Sequence, residues 1–554
     1  MGYKIGLDFG TTNSIISYID ASKNLQTFKY PGPSGTDYIP SCLAITKNKN
    51  SEIVRIGREA LRVAGTDNTE YYKDMKMILP RPSSEWQSLG WKNNKTPEEI
   101  ITSYLSKILI SDKRGDYSFK KEIGDIEEIV VSVPQAWITR QPNHQGRPKL
   151  EKIIKEKLNL PLLQLVSEPV AAATYYTYWY REKYKDFLKG NILVCDMGGG
   201  TFDVTLCKVN ENKIEVLSND GNGIFELGKA GVYFDNKLLS LAYKRIYNKE
   251  LEIGSNIYYE LYNKLQEYKV DCSQLITDNI QTALLHPSYS DKLPIIESPL
   301  LCYMEEINNA FKEVKSGIES VLYRFLNIEY LKNKTEIEEN EKIHIDAVIL
   351  VGGFNEFELT RQTIKDFLKN NKNYISGEMK FVEEINSRMA AKAISYGATL
   401  IANDLIQVEE IYPHTIGIVL EWRVISNKSG KIKLQNKKSY VPLIKGNTKI
   451  SNYKSTNFYE HYLLAFEENP RIKLYINPKG SLSIAEKEIP KSLNIMLPNF
   501  RLENRWKVGM KLDDSQIAYL VFKDEINNQE SSFYELGNIL TEMFGLDGLV
   551  LAQD

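Results

Sequence analysis

The eight residues DMGGGTFD, at positions 196–203, follow the apolar run NILVC and are echoed near the N-terminus by IGLDFGTTNS at 5–14. In each stretch an apolar strand delivers an aspartate, Asp8 or Asp196, into a tight turn of Gly and Thr, and a second strand follows. Gly lets backbone amides approach an anion closely, and successive turn amides form an anion-binding concavity. The Thr hydroxyls add donors, and the two carboxylates are placed to hold a hydrated metal between the turns. One such turn says little. Two matched turns in one chain describe a nucleotide clamped between two related lobes.

Working outward, VVSVPQAW (130–137) is a β-branched run ending at Pro134, and LVSEPVAAATYY (165–176) delivers Glu168 onto a helix. AVILVGGFNEFELTRQTIKDFL (347–368) reads as a strand, a Gly pair and an amphipathic helix, and AAKAISYGATLIA (390–402) as a helix of small residues. Taken in order, this set resembles the heat shock protein 70 (DnaK-like) chaperones within the actin and sugar-kinase ATPase superfamily. The resemblance runs over roughly residues 3–456. It implies an α/β fold with a two-lobed actin-like ATPase domain, a duplicated ribonuclease-H-like core, followed by a β-sandwich-like domain.

A chain of 554 residues exceeds what one core supports and predicts two or three domains. Alternating strand and helix signals extend over 1–404, with a mostly helical stretch at 254–332 broken by LLHPSYSDKLP and an acidic tract, EIEENEK (336–342), expected as a solvated loop. Residues 405–412 read as a linker, and 413–511 as short strands joined by Gly, Asn and Pro turns. Residues 512–554 are expected to form an acidic, partly helical tail, with SSFYELGNILTEMFGLDGLVLAQD as a capped amphipathic helix. Residues 411–511 carry 18 Lys or Arg and 7 Asp or Glu, a formal +11, whereas 512–554 carry 1 Lys and 9 acids, a formal −8. The basic stretch lacks an aromatic-interleaved motif, so a surface partly neutralised by the tail is the expectation rather than nucleic acid.

The whole chain is nearly neutral, at a formal −2, which gives no general pull toward nucleic acid. No apolar run approaches the length of a membrane span. A strand starts almost at the N-terminus, so no leader is expected. The five cysteines form no C-x-x-C pair and are expected as reduced thiols. These features set the expectation of a cytoplasmic protein.

By the resemblance, Gly10, Thr11, Thr12 and Asn13 lie in the first phosphate turn and Gly198, Gly199, Gly200 and Thr201 in the second. Asp8, Glu168 and Asp196 would hold Mg²⁺ through water, and Asp203 would help bind a monovalent cation such as K⁺. Lys76, in YKDMKMIL, aligns with the family's catalytic lysine, with Lys73 one turn away as the alternative register. Glu168, Asp196 and Thr201 complete the catalytic set for ATP hydrolysis to ADP. Gly352 and Gly353 permit close backbone approach. Phe354 and Glu356 stand where the family has a Ser and an adenine-packing Arg, and Phe354 is either a platform for the base or a core aromatic.

Other departures concern coupling. Val232 and Tyr233 replace two family acids, Gln164 replaces an Arg implicated in J-domain binding, and Gln407, Val408 and Glu409 replace three linker leucines. Loss of the leucines predicts marginal linker docking. Two functions are therefore expected. One is an ATP-dependent chaperone-like protein that binds a polypeptide client and works with J-domain and nucleotide-exchange co-chaperones. The other is an ATP-sensing scaffold with one dedicated protein partner. A small-molecule kinase or an actin-like filament fits the C-terminal half poorly.

Overall fold

The computed structural model describes residues 2–535 except 32–36, 49–50, 88–90, 92–94, 136, 138–145, 222–228, 290–291, 327–342, 372–374, 377–378, 383–386, 429–430, 462, 465–470, 478–486, 489–492, 495–504 and 525–528. The acidic tract at 336–342 and everything after 535 therefore lie outside the described residues. The chain divides into two compact units, one of 1–137 with 149–408 and one of 138–148 with 409–554.

The first unit opens with the meander β1 (Gly2–Phe9), β2 (Asn13–Ile19) and β3 (Leu25–Thr27). A small sheet follows, from β4 (Leu43–Asn48), β5 (Ser51–Ile56) and β6 (Thr69–Tyr72), and then the short helix α1 (Met75–Ile78). Helix α2 (Pro97–Leu109) starts at a capping box, with Thr96 and Glu99 satisfying each other's free amides. Its apolar face, including Ile101, Tyr104, Leu105 and Ile108, is buried. The chain then lays β7 (Asp125–Val133) parallel to β1 and β8 (Leu162–Ser167) parallel to β7, giving the order β3-β2-β1-β7-β8.

Helix α3 (Glu168–Tyr184), with Pro169 in its first turn, leads into a repeat of the same plan. A second meander, β9 (Lys189–Met197), β10 (Phe202–Asn210) and β11 (Lys213–Gly221), is followed by helices α4 (Gly231–Tyr247), α5 (Asn256–Asp271), α6 (Ser273–Leu285) and α7 (Met304–Leu326). Strand β12 (Ala347–Val351) then returns parallel to β9, helix α8 (Glu358–Asn370) follows, and β13 (Lys380–Phe381) lies parallel to β12. The two sheets share one topology, a meander and then two parallel crossovers. Asp8 and Asp196 occupy equivalent ends of their central strands. The duplicated, two-lobed core expected from the sequence is present.

Two helices join the lobes. Helix α9 (Ser387–Ala402) packs on β1, β2, β7 and α3, and α3 packs on β10 and β9. Small residues make the crossing close: a Cβ at Gly397 would lie 1.7 Å from the Ala171 carbonyl oxygen. Ser17 hydrogen-bonds both Ser395 and Thr399, at 2.7 and 2.5 Å. The segment expected as a linker supplies β14 (Gln407–Glu409), a sixth strand on the edge beside β11. Gln407 N–H donates to the Asn212 carbonyl at 2.9 Å. Main-chain pairing places this segment on the sheet edge without leucines.

In the second unit, β15 (Thr415–Lys428) and β16 (Lys431–Ile444) form a long hairpin extended by β17 (Leu474–Asn477) and β18 (Lys487–Glu488). A second antiparallel sheet contains β19 (Arg505–Leu512), β20 (Ala518–Asp524) and β21 (Gln529–Glu535). Ile416, Ile418, Leu443 and Ile476 from the first sheet and Trp506, Val508, Met510, Leu520 and Phe522 from the second form one core.

Here the structure corrects two boundaries. Ala518–Asp524 and Gln529–Glu535 are strands rather than a tail; the first carries AYLVF, a β-forming apolar run that net charge alone conceals. The N-terminal part of the expected terminal helix, Ser531–Glu535, lies in β21, and the rest is outside the described residues. Residues 138–148, counted with the first domain on sequence, group with the second unit. Buried Arg147 donates to the Ser515 carbonyl there, at 2.9 Å.

Candidate nucleotide-binding site

The two Gly/Thr turns face each other. A Cβ at Gly199 would lie 2.6 Å from Thr12 Oγ1, and one at Gly200 would lie 2.7 Å from Thr11 Oγ1. Gly is therefore required on one turn by the hydroxyls of the other. The second turn is fixed from behind: Gly198 N–H donates to the Thr201 carbonyl at 3.2 Å, and Val232 N–H to the Gly199 carbonyl at 2.8 Å. Gly10 sits tightly against the Asn13 carbonyl, where a Cβ would come within 2.2 Å. Gly352 has φ of +86°, and a Cβ there would meet Asp196 Oδ1 at 2.4 Å. Gly353 faces open space.

Beneath the turns lies a carboxylate cluster. Asp8, next to last in β1, accepts from Ser132 Oγ at 3.0 Å, a partner delivered by the parallel β1–β7 register. Glu168 is the first residue of α3 and is buried, as are Asp196 and Asp203, which face each other across the β9–β10 pair. Lys76 on α1 is buried and forms an ion pair with Glu168. Burial, with a smaller push from Glu168, raises Asp8 to about 6 against the pull of Lys76. Burial first, then Glu168, Asp203 and Asp8, holds Asp196 well above the ordinary carboxylate value. Asp196 Oδ2 is buried with no hydrogen-bond partner among the described residues.

The two candidate lysines have separate surroundings. Asp74 takes a left-handed conformation, φ 55°, before α1. Lys76 reaches Glu168, while Lys73 turns away toward Tyr258 and Tyr262. Thr11, Thr12, Gly199 and Gly200 converge, as do Asp8, Glu168, Asp196 and Lys76.

Phe354 stands differently. It is 4% exposed, stacked on Phe357 at 5.3 Å and tilted against Phe234 at 5.3 Å. Its faces are taken by core aromatics, which corrects the option of a base platform. Phe354→Ala is expected to cost about 3–5 kcal/mol of stability and to leave the ratio of ATP to GTP affinity unchanged, checked by thermal unfolding and nucleotide titration. Neighbouring Glu356 is pushed up by burial, opposed by Arg361. Ser132 is a site residue that sequence reasoning passed over, although it lies in the quoted VVSVP segment.

The sequence model of the family described as Hsp70 protein matches residues 89–440. The chain belongs to the Hsp70 family. Among similar Hsp70 sequences, Chaperone protein DnaK of Thermotoga petrophila is 24% identical over 456 residues, covering 81% of this chain and 69% of that protein. Chaperone protein DnaK of Mycoplasmopsis agalactiae is 26% identical over 542 residues, covering 95% and 78%. Chaperone protein dnaK1 of Prochlorococcus marinus subsp. pastoris is 27% identical over 400 residues, covering 67% and 53%. Among the described residues of this Hsp70 chain, no helix is long and apolar enough to cross a membrane.

Proposed function

We propose that this chain binds and slowly hydrolyses Mg²⁺-ATP between its two lobes and, as a chaperone-like protein, holds polypeptide on its C-terminal β-unit under nucleotide control. The observation that carries this reading is the convergence of Asp8, Glu168, Asp196 and Lys76 beside two facing Gly/Thr turns. Several carboxylates face one lysine there, and a buried Asp196 oxygen has no hydrogen-bond partner among the described residues. That donor set fits a divalent cation. Among the described residues no group of three or more such side chains is close enough to ligate one ion directly. As the family relationship implies, Asp8, Glu168 and Asp196 would hold Mg²⁺ through its water shell, with Asp203 beside a monovalent cation such as K⁺. When bound, Mg²⁺ neutralises phosphate charge.

The chain's own residues do the rest. Amides of Gly199 and Gly200 and hydroxyls of Thr11, Thr12 and Thr201 orient the phosphates, Gly198 closes the second turn through its own N–H to the Thr201 carbonyl, and Gly10, beside Asn13, and Gly352 and Gly353 allow the backbone close. Lys76 places a fixed cation beside the transferring group, where it stabilises charge that develops in the transition state. Glu168 orients Lys76 through their ion pair.

The strand at Gln407–Glu409 favours nucleotide-controlled polypeptide binding over the dedicated-partner scaffold, since it ties the linker to the sheet that carries Asp196. J-domain and nucleotide-exchange co-chaperones are the further partners that the family relationship supports. The test is release of a bound fluorescent peptide from the full chain in ADP and in ATP. The proposal expects ATP to accelerate release at least tenfold. Equal rates in the two nucleotides would leave the scaffold reading.

A further inference from the structure

Away from the hinge helices, the lobes meet a second time within the first unit. Lys73, between β6 and α1, sends its ammonium to α5 of the opposite lobe. Its Nζ lies 3.6 Å from the Tyr262 ring centroid and 5.0 Å from that of Tyr258, and it donates to the Tyr258 hydroxyl at 2.7 Å. That hydroxyl in turn donates to Asn236 Oδ1 on α4 at 2.7 Å. Asp74 completes the set with an ion pair at 3.1 Å.

Tyr258 and Tyr262 are buried, and the Lys73 side chain is 15% exposed. Burial opposes the charge on Lys73, but Asp74, Tyr262 and Tyr258 together outweigh it and keep the lysine protonated. Tyr71 on β6 adds an edge-on contact with Tyr259 at 5.0 Å. Gly65 packs against Asn256 at the start of α5, where a Cβ would lie 3.3 Å from it.

The position of Lys73 in the chain gives this contact its consequence. Three residues further on, Lys76 pairs with Glu168. The next residue, Met77, abuts the second phosphate turn, since a Cβ at Gly200 would come within 2.9 Å of it. One short segment thus touches the opposite lobe through Lys73 and the phosphate turn and carboxylates through Met77 and Lys76. A cation held between two rings and a hydroxyl is directional and desolvated, so it resists opening more than an exposed ion pair would.

We propose that Lys73, Tyr258 and Tyr262 form a clasp that holds the two lobes closed over the phosphate turns and sets the lifetime of the bound nucleotide. The inference rests on the nucleotide reading above. Lys73 is a positioning residue in this scheme. It acts through lobe closure and through the placement of α1.

The test uses the full chain with Lys73→Met, Tyr262→Leu, the double variant and Lys73→Arg. Dissociation of fluorescently labelled ADP with Mg²⁺ is followed by chase with unlabelled ADP. The clasp predicts release at least tenfold faster for Lys73→Met and Tyr262→Leu, with association rates little changed. The double variant should be no faster than the faster single one, because both remove one shared interaction. Lys73→Arg should restore slow release, because its cation can still sit on the rings.

Hydrogen exchange of 69–78 and 256–265 in the ligand-free chain supplies a second reading, and should be faster in Lys73→Met. Were the wild type to bind no nucleotide, the function reading would fail while this exchange measurement still decided the clasp. A folded Lys73→Met chain with release within twofold of wild type, or with unchanged exchange in both segments, overturns the proposal.

Discussion

Asp196→Asn is expected to lower Mg²⁺-dependent ATP turnover by on the order of 10²-fold while raising the melting temperature of the ligand-free chain by about 2 °C or more. The two effects share a cause. Asp196 is buried beside Glu168, Asp203 and Asp8, which together disfavour its charge. An amide of the same shape removes that repulsion and supplies an N–H₂ to neighbouring acceptors, so the empty fold gains. The lost charge is the one proposed to hold the hydrated Mg²⁺, so the loaded enzyme loses. Steady-state hydrolysis and thermal unfolding of the two proteins check both signs.

The pH dependence follows from the same cluster. Asp8 is raised to about 6, above its unfolded value, so the folded chain holds an extra proton between roughly pH 4 and 6. Its contribution to ligand-free stability is present below that window and is lost as pH rises through it. Asp196, raised by the same burial, acts in the same direction.

Lys76→Ala is expected to damage both properties. Removing one partner of a buried ion pair leaves Glu168 buried and unpaired, at a cost of about 3–5 kcal/mol. It also removes the cation proposed to sit beside the transferring phosphoryl group, for a further expected loss on the order of 10²-fold or more in turnover. Lys76→Ala and Asp196→Asn thus move stability in opposite directions and activity in the same one, a pattern that general destabilisation does not produce. Denaturant titration and hydrolysis assays on both variants separate the two components.

The site was legible where chemistry is local. Gly and Thr at a strand end point to an anion-binding turn because few other residues permit the approach, and Thr11 and Gly200 of the two turns lie against each other. What sequence left open depended on neighbours far along the chain. Lys73 and Lys76 are one turn apart and equally basic. Only the left-handed Asp74 and partners at positions 168 and 258 tell them apart.

Phe354 had two readings because a buried ring and a base platform have the same local pattern, and its environment of Phe234 and Phe357 chose between them. The side chains of Gln407, Val408 and Glu409 do not announce a strand, because an edge strand is held by backbone groups that any non-proline sequence carries. Strand β20 is hidden by the acidic charge of the segment around it, although AYLVF within it is a continuous β-forming apolar run.

In the function proposed above, the two facing turns and the carboxylate–lysine cluster form a Mg²⁺-dependent ATP site. Calorimetric titration of ATP into the full chain, with Mg²⁺ and then with the metal removed by chelation, tests it most directly. The account predicts saturable binding of one ATP per chain with Mg²⁺, weakened at least tenfold by chelation in the wild type but much less in Asp196→Asn. Binding of equal strength with and without Mg²⁺, or no binding in either condition, would contradict it.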